Sequence, residues 1–358
     1  MPTRRGGTAV RKVHEGIYQL VTPFPEYQRR EAYRLREELP HNPHQVKGLP
    51  YVLPYFIVSN GENLLVDCGW NTDDAYQALK EQLNELGSDV SEVRNLAITH
   101  SHPDHCGLVG RIKKESGCAV WMHENEVSFM RSRYVEPEEL IQRMKDWARR
   151  HGVPSEETDD IARSSMPMRF FVAPIDKADV AVKGGEHLKV GQFVFEVIWT
   201  PGHSPGHICL YEPNHRLLLT GDHILPLITP NISLHPEQRE NPLQDYLDSL
   251  QKVANLKVDR ILPAHEWDVD WFQKRLHELM HHHEERLEEM VQAIGYEEMV
   301  TAATVAQRIR WNIGSYEELS GWMRRAAIGE TLAHLRFLAR QGRLKEVEMD
   351  GVVYFARA

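Results

Sequence analysis

Cysteine is scarce in this sequence: Cys68, Cys106, Cys118 and Cys209 are the only four in 358 residues, and no two form a Cys-x-x-Cys pair. That excludes a disulfide framework and a thiolate zinc knuckle, and leaves reduced, buried thiols as the expectation. Long apolar runs are missing as well. No stretch of about 18 apolar residues could span a membrane, and Met1-Pro2-Thr3-Arg4-Arg5 leads into no apolar signal-peptide core, so a cytoplasmic protein is expected. Positive charge is in deficit: 42 basic against 52 acidic residues give a net charge of -10, which disfavours general attraction to nucleic acid or anionic membrane. The ordinary balance of 41% hydrophobic and 26% charged residues excludes bulk disorder. The length suits two domains or one large one.

Histidine, by contrast, is abundant, with 20 residues, and it is the commonest metal ligand among side chains. Its setting is a pattern of alternating elements. Strands are expected at 16–21, 56–58 and 63–67, the last two joined by an Asn60-Gly61 turn. Tyr76, Leu79, Leu83 and Leu86 recur at helical spacing between a Thr72 or Asp73 cap and the Gly87 stop, and Leu96-Ala97-Ile98 then delivers the chain to His100. Strand, helix, strand in this order implies a layered α/β architecture. Residues 23–50 read as a proline-rich, charged arm.

Residues 124–180 read as a helical insert, with proline-opened helices over 137–151 and 154–165. Its Trp147, Arg149, Arg150, Arg169, Phe170 and Phe171 make it a candidate lid over the site. Strands return at 193–199, 207–211 and 216–220, followed by a helix over 242–256 and a strand at 260–262. Beyond Trp267 the pattern is helical until a hairpin over 343–355 that turns at Asp350-Gly351. A boundary near residue 272 would divide the chain into 1–271 and 272–358.

The stretch Thr99-His100-Ser101-His102-Pro103-Asp104-His105-Cys106-Gly107 contains His-x-His-x-Asp-His directly after a strand. Side chains two residues apart on an extended segment share a face, so His100 and His102 can bind one ion. Asp104 and His105, where the chain turns, can serve a second. Later candidates fall at strand ends, where α/β sites gather: His203 in Gly202-His203-Ser204-Pro205-Gly206-His207, Asp222 after Thr220-Gly221, and His265 after Pro263-Ala264. Each of these alone reads equally well as a turn residue. Together the seven supply donors for two divalent ions with open positions.

This set resembles the metallo-β-lactamase fold superfamily of binuclear hydrolases, over roughly residues 15–270. The resemblance implies an αββα sandwich. It also implies that His100, His102 and His203 hold one metal, that Asp104, His105 and His265 hold the other, and that Asp222 bridges them, with Asp104 and Asp222 as the catalytic carboxylates. Asp67, in Asp67-Cys68-Gly69, matches the family's early Asp-x-Gly turn and is expected to orient a ligand from behind. His207 is expected to start a strand or support a ligand, and His223 to line the pocket or stabilise an oxyanion. His281-His282-His283, in a charged helical stretch, is expected on a solvated surface. Helices followed by a hairpin make a C-terminal winged helix, similar to the superfamily branch of beta-lactamase-like protein 2, which includes RNA-cleaving and hydroxyacylglutathione hydrolase-like members.

Two ions about 3.5–4 Å apart lower the pKa of a shared water toward ~7, so the nucleophile is expected to be a metal-bridging hydroxide rather than Ser or Cys. Zinc is the first expectation from an all His and Asp set, with iron or manganese alternatives. The preferred substrate is a small ester or thioester of acyl-glutathione or acyl-CoA type. A phosphodiesterase or endoribonuclease and a non-catalytic ligand sensor are the alternatives. From Arg275 to Ala358 there are 11 basic and 13 acidic residues, so the C-terminal module lacks the basic footprint of a nucleic-acid reader, and packing or homodimerisation is favoured for it.

Overall fold

Two β-sheets lie face to face with helices on their outer surfaces. In the computed structural model, residues 10–25, 51–296, 298–312 and 314–358 are described. The expected arm lies outside these residues from position 26 onward. The first sheet runs in the order Arg11–His14, Ile17–Gln19, Tyr55–Ser59, Glu62–Val66, Asn95–Ala97, Ala119–His123, Val180–Val182. Its first four strands are antiparallel and its last four parallel. The second sheet runs His187–Val190, Phe193–Trp199, Ile208–Glu212, Leu217–Gly221, Arg260–Pro263, antiparallel except for its final parallel pair.

Alternation sends Ile57, Leu64 and Val66 of one sheet and Phe193, Phe195, Val197, Leu210 and Leu219 of the other into a shared apolar layer. The opposite faces are covered by Asp73–Glu85 and Val109–Ser116 on the first sheet and by Pro242–Ala254 on the second. This is the αββα sandwich. The parallel strands place residues 67, 99–105, 200–207, 222 and 264–265 at one end of it, since every strand that leads into these loops points the same way.

Local chemistry accounts for several departures from the sequence reading. The opening strand is a hairpin, because Gly16 at φ +76° turns Arg11–His14 back onto Ile17–Gln19. Strands Ala119–His123 and His187–Val190 were not anticipated; both are short, and the first is apolar at four successive positions, Ala119 to Met122, so its sequence shows no polar and apolar alternation. The second insert helix is confined to Thr158–Arg163, with the Pro154 carbonyl accepting from Glu157 and Thr158 in the preceding turn.

The C-terminal segment has helices Phe272–Ala293, Ala302–Arg308 and Gly321–Arg340 and the hairpin Leu344–Met349/Val352–Arg357, which turns at Asp350-Gly351 with both φ positive. The expected boundary falls at the first residue of the Phe272–Ala293 helix, and the apolar cluster runs across it. Leu218, Leu243 and Tyr246 share one core with Leu276, Leu332, Leu335 and Phe355, and with Trp147 and Ile161 of the insert. The expectation of a solvated His281-His282-His283 is corrected for its last member. His283 is 2% exposed and its Nδ1 lies 3.0 Å from His334 Nε2, because one helix position in three faces the Gly321–Arg340 helix.

Candidate metal centre

The His100 and His102 side chains leave the extended segment after Asn95–Ala97 on one face, and Pro103 opens the short helix Pro103–Cys106 that turns Asp104 and His105 away. Three groups of donor atoms result: His100, His102 and His203; His100, His105 and Asp222; Asp104, His105 and His265. In the first, His102 Nδ1 lies 2.9 Å from His100 Nε2 and 3.1 Å from His203 Nε2. Around the third, His265 Nε2 is 3.3 Å and His105 Nε2 3.5 Å from Asp104 Oδ2. Asp222 divides its two oxygens between the groups. Oδ2 is 3.6 Å from His203 Nε2, whereas Oδ1 is 3.3 Å from His265 Nε2 and 3.5 Å from His105 Nε2.

These residues fit a pair of divalent ions. Ligands at 2.0–2.1 Å around a tetrahedral ion are separated by edges of about 3.3 Å, which is the spacing found here. His105 Nε2, His265 Nε2 and Asp222 Oδ1 are buried and without a hydrogen-bond partner among the described residues, a costly arrangement unless an ion completes it. Burial, then the neighbouring imidazoles, holds His100 and His102 well below the usual histidine range, so both offer lone pairs. For His105 burial acts in the same direction but is overridden by Asp222, Asp104 and Asp67, which push it well up. The side-chain exposure that remains, 16% at Asp104 and 12% at Asp222 against 1% at His265, opens the site to solvent along its carboxylates.

Outer hydrogen bonds orient four of the five imidazoles, those of His100, His105, His203 and His265. Asp67, held at φ +58°, has Oδ2 2.8 Å from His105 Nδ1 and also accepts from the Thr99 hydroxyl, which lies 3.1 Å from His100 Nδ1. His203 Nδ1 sits 2.9 Å from the Asn231 carbonyl and His265 Nδ1 3.2 Å from the Tyr51 carbonyl, so both turn Nε2 toward the centre. His207 accepts from the Asp222 backbone N–H at 3.1 Å and thereby orients that residue. Gly221, at φ +49°, lets it do so: a Cβ there would lie 2.7 Å from His207 Nε2.

Two expectations need correction. His223 is fully buried, so it lines no open pocket; its ring packs edge-on against Tyr246 at 5.2 Å, and burial pushes it down to about 3. Of the supposed lid residues, Trp147 is buried in the core, Phe170 is 71% exposed, and Arg149 and Arg150 pair outward with Asp146 and Glu348. Phe171 alone reaches the neighbourhood, joining Phe24 and Trp70 beside His265.

Glu126 escaped the sequence reading. Fully buried, it accepts from the Ser101 N–H and hydroxyl through Oε2 and from the Ser204 hydroxyl and Gly206 N–H through Oε1, at 2.6–2.8 Å. It thus pins the loop of His100 and His102 to the loop of His203. Nothing around Glu126 in the sequence signals this, because its partners lie 25 and about 80 residues away.

A family model described as the Metallo-beta-lactamase superfamily matches residues 48–265. The chain belongs to that superfamily. As a superfamily member it is similar to the probable metallo-hydrolase YqjP of Bacillus subtilis, 24% identical over 84% of this chain and 92% of that protein. It is 26% identical to a beta-lactamase-like protein 2 homolog of Caenorhabditis elegans, over 80% of this chain and 78% of that protein. The hydroxyacylglutathione hydrolase GloC of Haemophilus influenzae is 27% identical over 41% of this chain and 55% of that protein. A metallo-beta-lactamase family protein from Thermus thermophilus superimposes with a TM-score of 0.78 at 29% identity, covering 97% of this chain and all of that one. With its His and Asp clusters, this member of the superfamily is a metal-dependent hydrolase.

Proposed function

We propose that the chain hydrolyses a small ester or thioester, of acyl-glutathione or acyl-CoA type, with two divalent ions held by His100, His102, His203, Asp104, His105, His265 and Asp222, zinc being the first candidate. The observation that carries the two-ion reading is the division of the Asp222 oxygens between the two donor groups. When bound, such a pair of ions supplies a water activated near neutral pH and polarises the acyl oxygen. The chain's own part is orientation. Asp67, Asn231 and Tyr51 hold three imidazoles in one tautomer each, and Glu126 fixes the spacing of the two loops. Asp104 and Asp222 stand at the solvent side, where a carboxylate oxygen can take the proton released as water attacks.

The thioester preference is supported by the likeness to a hydroxyacylglutathione hydrolase. The net charge of -10 disfavours a polyanionic RNA substrate. Initial rates on S-lactoylglutathione and bis-p-nitrophenyl phosphate, with Asp222→Ala as background, test the proposal. Zinc-dependent turnover of the thioester alone is the expected result, and turnover of the phosphodiester alone overturns it.

A further inference from the structure

The loop between Asp222 and the Pro242–Ala254 helix is bonded to the sheet at its start, where Thr220 accepts from the His223 N–H and donates to the Ile224 carbonyl, and is held further along by the C-terminal helices. Arg275, buried at the start of the Phe272–Ala293 helix, donates through Nε to the Leu225 carbonyl at 2.7 Å and through Nη2 to the Leu227 and Ile228 carbonyls at 3.0 and 2.9 Å. Further along, the Leu234 N–H donates to the Gly329 carbonyl at 2.9 Å, and the Ser233 hydroxyl is shared between Asn231 Oδ1 and the Ala326 carbonyl. Gly329 stands inside a helix, where glycine costs about 1 kcal/mol relative to alanine. Close approach explains it, because a Cβ there would sit 3.0 Å from the Ser233 side chain.

Asn231 is the point at which this clamp reaches a metal ligand. Its backbone carbonyl receives His203 Nδ1, while its side-chain Nδ2 donates to Glu330 Oε2 at 2.9 Å. Glu330 is steadied in turn by Arg286, whose Nε lies 3.4 Å from Oε1. We propose that Glu330 is a positioning residue for the His100, His102 and His203 group: through Asn231 it fixes the carbonyl that selects the His203 tautomer, and so sets how tightly that group holds its ion. The C-terminal segment is then part of the metal centre, although it supplies no ligand. The inference rests on the two-ion reading above and is independent of which acyl compound is cleaved.

The test is zinc affinity measured by chelator competition on the full chain, with thermal unfolding of the metal-free protein alongside. Wild type is expected to hold two ions. Glu330→Ala should weaken one of them 10–100-fold and leave the other within about twofold, and Glu330→Gln, which keeps an acceptor for Asn231, should recover most of the loss. Asn231→Ala leaves the carbonyl but cuts the link, so it should weaken the same ion, and the double variant should be no weaker than either single one. Leu332→Ala loosens the same helix without touching Asn231 and is expected to lower unfolding temperature while both affinities hold. The proposal is overturned if Glu330→Ala and Asn231→Ala bind both ions as wild type does, if their effects multiply in the double variant, or if Leu332→Ala weakens the same ion equally. A wild type that binds fewer than two ions overturns the two-ion reading itself, and the inference with it.

Discussion

At the scale of single residues, the donor cluster depends on groups that stand outside it. Asp67 occupies a left-handed backbone conformation, rare outside glycine, in order to present both carboxylate oxygens, one to the Thr99 N–H and the other to His105 and the Thr99 hydroxyl. Asp67→Ala should therefore lower affinity for the ion at Asp104, His105 and His265 by 10–100-fold, as read by chelator competition. Wild-type affinity for both ions would show that His105 needs no orienting partner. Glu126 presents a different case, a buried carboxylate satisfied by four donors. Glu126→Gln replaces one acceptor oxygen by an NH2 group that faces donors, so about 2–4 kcal/mol of stability should be lost, measurable by urea unfolding of the zinc-loaded protein. A loss under 1 kcal/mol would mean that the two loops are held by something else.

At the scale of elements, the cluster of donor side chains was legible because few residue types offer donors to divalent ions and the fold gathers them at strand ends within short motifs such as 99–107 and 202–207. What escaped was long-range. Glu126 has no local signal, Asn231 acts through a backbone carbonyl that every residue type possesses, and the inward turn of His283 depends on which face of its helix meets Gly321–Arg340. The lid reading failed for a related reason: aromatic residues announce burial but not the core that buries them, and Trp147 chose the shared apolar cluster. Gly221 shows how tightly one strand end is fitted. Gly221→Ala meets both a positive φ and a 2.7 Å approach to His207 Nε2, so a cost of at least about 1–2 kcal/mol together with displacement of Asp222 is expected. Weaker zinc binding than in wild type, with the fold intact by circular dichroism, is the measurable sign, and unchanged binding would show that His207 yields freely.

At the scale of the whole molecule, one apolar cluster joins the second sheet, the insert and the C-terminal helices, and histidines are buried within it. His151 ends the Pro137–Arg150 helix beneath Trp147, and its carbonyl receives the Ala303 N–H from the C-terminal segment. Burial, reinforced by Arg336 and Arg150, pushes its pKa down to about 3, and burial does the same for His334 on the Gly321–Arg340 helix. The sign of the linkage follows. An unfolded chain takes up a proton at each of these histidines near pH 6.5 and the folded chain does not, so between pH 6.5 and 3 the unfolded state binds more protons and stability falls as the pH falls. Their contribution is complete above pH 6.5, and each histidine should remove roughly 1–2 kcal/mol between pH 6.5 and 5. His151→Phe deletes one such site while keeping an aromatic ring of similar size. The variant should therefore lose about 1–2 kcal/mol less than wild type over that interval in urea unfolding, acid loss of metal being common to both proteins and cancelling in the difference. Equal losses in the two proteins would mean that His151 is protonated inside the fold and that the interface between insert and C-terminal helices admits charge.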